Sequence, residues 1–374
     1  MKTLNTQRLL ENVRRAAEYD LSENNVTGSA YKVMQNGETL LEEYFGYTDI
    51  SESNRASADT VYRLASKTKP VTAAAALILV DRGLLSLDAK AKDFYPRLED
   101  IHIITGDGED LGISKTDITL MHLLTHTSGF GSIKSPRIKE ADKATIGGTV
   151  NYYISEGLDF EPFTRQAYSA YAAFDVVAGI IEKITDRDYG EFLQTEIFSP
   201  CGMTDTTFSP SLEQEARIIT MHNKRDGKSC VGKTHPGCVF ESFPYSHKLA
   251  GAGLASTLTD YSKFAEMLLR NGKTENRRVL SEDTARLMGV PFVPKEIMPG
   301  RERWGLGVRV VTEEYKTGIQ VGSFGWSGAY GSHFWVDPVN GITAVFMKNS
   351  RFDGGASNRS ACRFEEAVYS AFEE

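Results

Sequence analysis

The sequence predicts an α+β fold: one antiparallel sheet flanked by helices, closed by strands from both ends of the chain, with a mainly helical subdomain inserted in the middle. Three observations predict it. One hairpin signal lies early, a second lies late, and the residues between them carry helical periodicity rather than alternating strands and helices. A parallel doubly wound sheet would need that alternation throughout. The expected division is an α/β subdomain at about 1–65 and 250–374 around a helical one at about 66–249, integrated into a single unit of 374 residues.

The elements follow in order. Leu9, Leu10, Val13, Ala16 and Ala17 fall at helical spacing and predict an amphipathic first helix. Residues 29–47 read as a hairpin turning at Asn36-Gly37, a pair that tolerates positive φ. The stretch 66–81 is rich in Ala and Leu and reads as a helix ending at Arg82-Gly83. Val177, Ile180, Ile181 and Ile184 mark a second helix face. Tyr261, Phe264, Ala265, Leu268 and Leu269 mark a third, with Thr259 as its N-cap and Gly272 past its end. Strand-like runs at 332–336 and 343–348 flank Asp337-Pro338-Val339-Asn340-Gly341, and 363–372 is helical. The glycine-containing segment 225–244 reads equally as a loop over a site or as a surface insertion.

Composition narrows the function. Hydrophobic residues are 41% and charged residues 25%, as in ordinary globular proteins. A net charge of −8 argues against nucleic acid as a partner. No stretch approaches the roughly 18 apolar residues of a membrane span, and the first twenty residues hold no signal-peptide core, so a cytoplasmic location is expected. Cys201, Cys230, Cys238 and Cys362 form no C-x-x-C pair and are expected to be reduced thiols. No metal-ligand spacing and no Walker or Rossmann glycine pattern occurs, so neither metal nor cofactor is expected. Nothing in the sequence sets the oligomeric state.

Three short segments carry chemistry. In Ser66-Lys67-Thr68-Lys69, the serine enters a helix and the lysine lies one turn on, on the same face. The helix start offers a positive field and a free backbone N–H, and a desolvated lysine can release its proton. Taken alone, such a serine is ordinarily a cap and such a lysine a surface residue. Tyr168-Ser169-Ala170 precedes the second helix, and a phenol there can shuttle a proton if positive charge lowers its pKa. Gly325-Trp326-Ser327-Gly328-Ala329 leads into a strand whose free N–H can complete an oxyanion hole. The order of the three is more specific than any one. His126 invites a Ser-His-Asp reading, but no G-x-S-x-G elbow accompanies it.

With these motifs, and with 118–129 (ITLMHLLTHTSG), Gly251-Ala252-Gly253-Leu254-Ala255-Ser256 and Trp335-Val336-Asp337-Pro338, the chain resembles the serine β-lactamase and penicillin-binding protein superfamily. It is most similar there to class C-like enzymes and family VIII carboxylesterases. The resemblance implies a β-lactamase/transpeptidase-like fold. It implies Ser66 as nucleophile, Lys69 as its proton partner, and Tyr168 as second member of the base pair and donor to the leaving group. The N–H groups of Ser66 and Ala329 would form the oxyanion hole, and Ala170, Trp326, Ser327 and Gly328 would meet the substrate. His126 becomes structural by the same resemblance. Two positions depart from the family. Ala170 stands where Tyr-x-Asn has its amide, and Trp326-Ser327-Gly328 stands where lactamases have Lys-Thr-Gly. Losing that amide and that cation moves the expectation from carboxylated β-lactams toward neutral esters or acyl groups. The expected function is therefore a serine hydrolase, an esterase or acyltransferase working through an acyl-enzyme on a small-molecule ester. The alternatives are a D-stereospecific peptidase or amidase, a weak β-lactamase, and a catalytically silent penicillin-binding-like ligand-binding module.

Overall fold

Strands from the early and late parts of the chain meet in one sheet. The computed structural model describes residues 2–131, 138–139 and 141–373. After helix α1 (Thr6–Ser22) come β1 (Gly28–Gln35) and β2 (Glu38–Gly46), turning at Asn36 (φ 53°) and Gly37 (φ 83°) as the two-residue hairpin signal requires. The chain then leaves the sheet. Its helical region contains α2 (Thr68–Asp81), α3 (Ile146–Glu156), α4 (Ala172–Thr185) and α5 (Leu258–Leu269). It returns as β3 (Glu302–Trp304), β4 (Arg309–Val311), β5 (Phe324–Ser327), β6 (His333–Asp337) and β7 (Ile342–Met347), and α6 (Arg359–Tyr369) follows. The seven strands are ordered β2-β1-β7-β6-β5-β4-β3, all antiparallel. Ala30 sits opposite Met347, so the two ends of the chain are knit at the centre.

Alternation along the strands serves two cores. Tyr31, Val33, Trp335, Ala344 and Phe346 pack with Leu9, Val13, Phe364 and Val368 of α1 and α6. Ala30, Phe334, Val336, Val345 and Met347 face the other way, into the larger core with α2, α4 and α5. Both faces are covered, which is why every residue of β7 is buried and all but Thr343 are apolar. Helix α2 is buried almost all round, as an Ala- and Leu-rich helix without an amphipathic stripe should be. Two boundaries differ from expectation. The N-cap of α5 is Thr257, whose hydroxyl accepts from the Asp260 N–H, while Thr259 lies inside the helix. The last helix begins at Arg359, capped by Asn358. None of the four cysteines forms a disulfide. Among the described residues no helix is long and apolar enough to cross a membrane.

One side chain ties the sheet to the helical region. Asn349, just past β7 and 2% exposed, accepts from the Arg63 N–H (2.9 Å) and donates to the Arg63 carbonyl (2.9 Å). It thereby pairs the short extended segment Tyr62–Arg63 as a neighbouring strand would. Asn349→Ala leaves both backbone groups without that partner and is expected to cost about 2–3 kcal/mol. Chemical denaturation of the variant checks this.

Candidate active site

Residue 65 sets the approach to the first motif. Ala65 has φ 47°, a left-handed conformation that costs a non-glycine residue about 1–2 kcal/mol. Hydrogen bonds hold the turn there: Thr68 Oγ1 donates to the Ala65 carbonyl (2.8 Å) and accepts from the Leu254 N–H (3.1 Å), while the Leu64 N–H donates to the Leu254 carbonyl (2.9 Å). A 3-10 turn, Ala65–Lys67, then leads into α2. Its first bond runs from the Lys67 N–H to the Leu64 carbonyl (3.2 Å), so the Ser66 N–H precedes the hydrogen-bonded part of the helix and finds no acceptor among the described residues.

Lys69 lies one turn on with no exposed surface. Its amine donates to the carbonyls of Ala170 (2.7 Å) and Gly251 (2.9 Å). Gly251 has to be glycine for these two to converge, since a Cβ there would sit 2.5 Å from the Ala170 carbonyl oxygen and 3.1 Å from the amine. Burial pushes Lys69 down to about 7, and the charge of Asp175 opposes the fall. A neutral amine has two N–H bonds and one lone pair. With both bonds committed to carbonyls, the lone pair is left to accept a proton.

The Tyr168 ring lies 4.9 Å from the Lys69 amine. Its hydroxyl faces the Ser66 side chain, which helps to hold its pKa down, and accepts from Trp326 Nε1 (3.3 Å). Burial pushes this phenol up to about 12, because the hydrogen bonds and the charge of Arg309 offset only part of the desolvation. The condition of a phenol lowered by nearby positive charge is not met, because desolvation outweighs the charge of Arg309. His126 is a neighbour of this tyrosine and not a member of a Ser-His-Asp array. Its Nδ1 accepts from the Ser169 N–H (3.0 Å), its Nε2 has no partner among the described residues, and its ring packs 4.5 Å from Tyr168 and 4.3 Å from Trp304. Burial holds it well below the ordinary histidine value, so it is neutral.

The third motif closes the site. Alternation along β5 turns Trp326 toward Tyr168 and Ser327 toward α6, where its hydroxyl meets His333 Nδ1 (2.8 Å) and His333 Nε2 meets Glu365 (3.0 Å). The Ser327 side chain is thus engaged on the far face. Gly328 packs on the turn that carries Ser66: a Cβ there would lie 2.3 Å from the Leu64 carbonyl oxygen. Ala329 follows, exposed, and its N–H finds no acceptor among the described residues. Ser66, Lys69, Tyr168, Ala170, Trp326, Gly328 and Ala329 are therefore brought together. The segment 225–244 reaches the same region, with the Phe240 ring 6.0 Å from Tyr171 and 5.3 Å from Tyr330, on either side of the motifs.

Several neighbours were not singled out from the sequence. The Arg309 guanidinium stacks over Trp326 (4.9 Å) and pairs with Glu302 (2.6 Å). Asp175 is visible in retrospect as a lone acid in the apolar run Ala172-Ala173-Phe174-Asp175-Val176-Val177. Lys67, inside the first motif, points away from it into the core. Its amine lies 4.1 Å over the Tyr261 ring and meets only Met347 Sδ (3.3 Å) and the His333 carbonyl (3.5 Å). Burial holds that amine well below the ordinary lysine value. The unfolded chain binds a proton there more firmly than the folded one. Lys67 therefore costs stability at neutral pH, and the cost fades as pH climbs toward the ordinary lysine value. Lys67→Met is expected to raise stability at pH 7 by about 1–4 kcal/mol, the range for replacing buried charged groups with apolar ones. Denaturation midpoints at pH 7 and pH 10 check this, the gain shrinking at the higher pH.

Known proteins resemble this chain in sequence and in fold. The beta-lactamase family model matches residues 11–361. Protein Rv1367c of Mycobacterium tuberculosis is 30% identical over 350 residues, covering 86% of this chain and 85% of that protein. Esterase EstB of Burkholderia gladioli is 27% identical over 384 residues, covering 93% of this chain and 92% of that protein. EstCE1, described as a hydrolase with promiscuous acyltransferase activity, superposes with a TM-score of 0.82 at 22% identity, covering 97% of this chain and 99% of that one. The fold is accordingly β-lactamase/transpeptidase-like.

Proposed function

The chain belongs to the beta-lactamase family, and on that premise we propose that it hydrolyses or transfers the acyl group of carboxylic esters through an acyl-enzyme on Ser66. The single observation that carries the proposal is the Lys69 amine, desolvated to about 7 with both N–H bonds occupied, one helical turn from Ser66 and 4.9 Å from the Tyr168 ring. The lysine and tyrosine pKa values are pushed apart, which supports a division of roles. Near neutral pH Lys69 is the base and Tyr168 keeps its proton.

In the first half-reaction the Ser66 oxygen attacks the ester carbonyl and its proton passes to Lys69. The oxyanion lies between the N–H groups of Ser66 and Ala329. On collapse the C–O bond to the leaving alcohol breaks, Tyr168 protonates that oxygen, and Lys69 returns a proton to Tyr168. Water, or an acceptor alcohol, then attacks the acyl-enzyme by the reverse transfers. Similarity to Esterase EstB and the fold shared with EstCE1 support ester substrates. So does chemistry: Trp326 and Ala170 offer apolar contact where a cation and an amide would select a carboxylated lactam. Amide or β-lactam hydrolysis is the second reading, and the three intact reactive side chains argue against a silent ligand-binding module.

Ser66→Ala is expected to lower turnover of p-nitrophenyl butyrate by about 10⁴-fold or more with circular dichroism unchanged. Full activity in the variant removes Ser66 from the mechanism. Because the base works deprotonated, kcat/KM should rise with pH through about 7 and stay level to pH 9, where Tyr168 is still protonated. A fall between pH 7 and 9 reverses the assignment of acid and base. Nitrocefin and D-amino-acid amides, assayed beside short-chain esters, should be the poorer substrates, and a hundredfold preference for either overturns the ester reading.

A further inference from the structure

A carboxylate that takes no part in these steps lies sealed behind Lys69. Asp175, in the first turn of α4, and His247 both have fully buried side chains. One oxygen of Asp175 accepts from His247 Nε2 (3.1 Å) and from Thr149 Oγ1 on α3 (3.1 Å), and the other accepts from the Ala250 N–H (3.1 Å). The Ala250 carbonyl accepts from Thr72 Oγ1 of α2 (2.6 Å). Ala250 is therefore gripped from both sides, and the next residue is Gly251, whose carbonyl holds the Lys69 amine (2.9 Å). The carboxylate is also the charge that opposes desolvation of this amine.

We infer that Asp175 is a positioning residue for Lys69: it fixes the Ala250–Gly251 backbone against which the amine is held, and it supplies the buried negative charge that keeps the amine basic enough to carry the Ser66 proton. The inference rests on the reading of Lys69 as the base. A desolvated amine without a counter-charge would give up its proton too readily, and a base far weaker than its task transfers protons poorly. Other titratable groups face the two residues. Tyr168 and His126 lie against Lys69, with Arg309 behind them. Tyr95, Tyr153 and Tyr189 surround Asp175, all held above the ordinary tyrosine value chiefly by burial, and Glu182 accepts from the Tyr189 N–H. The phenols stay neutral in the range where Lys69 titrates, and His126 is already neutral there, so neither moves the acid limb of the rate profile.

Asp175→Asn preserves shape and an acceptor for the Ala250 N–H while removing the charge. The acid limb of kcat/KM on p-nitrophenyl butyrate is expected to move to lower pH by about one unit, with the plateau reduced about three- to tenfold by the weaker base. Fluorophosphonate labelling of Ser66 across the same pH range should shift in parallel. A merely structural role would lower the plateau and leave the limb in place, and an unmoved limb overturns the inference. Thr149→Val and His247→Gln loosen the carboxylate without neutralising it. They are expected to lower kcat about three- to tenfold with the limb unmoved. If Asp175→Asn does not fold, undiminished kcat in both of these overturns the inference. Wild-type turnover that does not depend on Ser66 sinks the nucleophile reading and this inference together. Ser66-dependent turnover whose acid limb ignores Asp175→Asn sinks this one alone.

Discussion

The site depends on removing one amine from water and giving it only two carbonyls in return. Lys69 sits on α2, but its partners, Ala170 and Gly251, come from segments distant in sequence. Two acceptors satisfy the hydrogens of a neutral amine and leave an ammonium one short. Burial and stoichiometry therefore favour the same protonation state, the one a base requires. The packing that achieves it is strict: Gly251 has no room for a side chain, and α2 carries Ala and Leu on nearly every side, so the amine has nowhere else to go.

Around that amine, sheet and helices contribute different things. The helical region supplies the reactive side chains, Ser66, Lys69 and Tyr168. The sheet supplies backbone, through the close packing of Gly328 on the Leu64 carbonyl and the open N–H of Ala329. Trp326 joins the two by donating to the Tyr168 hydroxyl from β5, the strand that leads to Ala329.

Much of this was legible in the sequence because it is periodic or local. The Asn36-Gly37 turn, the apolar spacing of α1 and α4, and the serine-to-lysine separation of one turn each depend on residues close together in the chain. The cap of α5 was misplaced by two residues because Thr257 and Thr259 are equivalent to any local rule and only the Asp260 N–H distinguishes them. Asn349, Asp175 and Arg309 escaped because each acts on a group far away in sequence. The direction of the Tyr168 shift is not legible in the sequence for a related reason: how many atoms cover a phenol is a property of the assembled core.

The central pairing of β1 with β7 has a bearing on how the molecule is made. The early hairpin must wait for β7, far along the chain, before its inner edge is covered, a non-local pairing of the kind that slows folding. Asn349 and the Ala329 amide emerge on that same late stretch, long after the serine itself. The turn that carries Ser66 thus lacks the support of Asn349 until the late strands pair with the early hairpin. The acyl chemistry proposed for this site therefore awaits closure of the sheet, so that a partly folded chain holds Ser66 without the surroundings it would need to react.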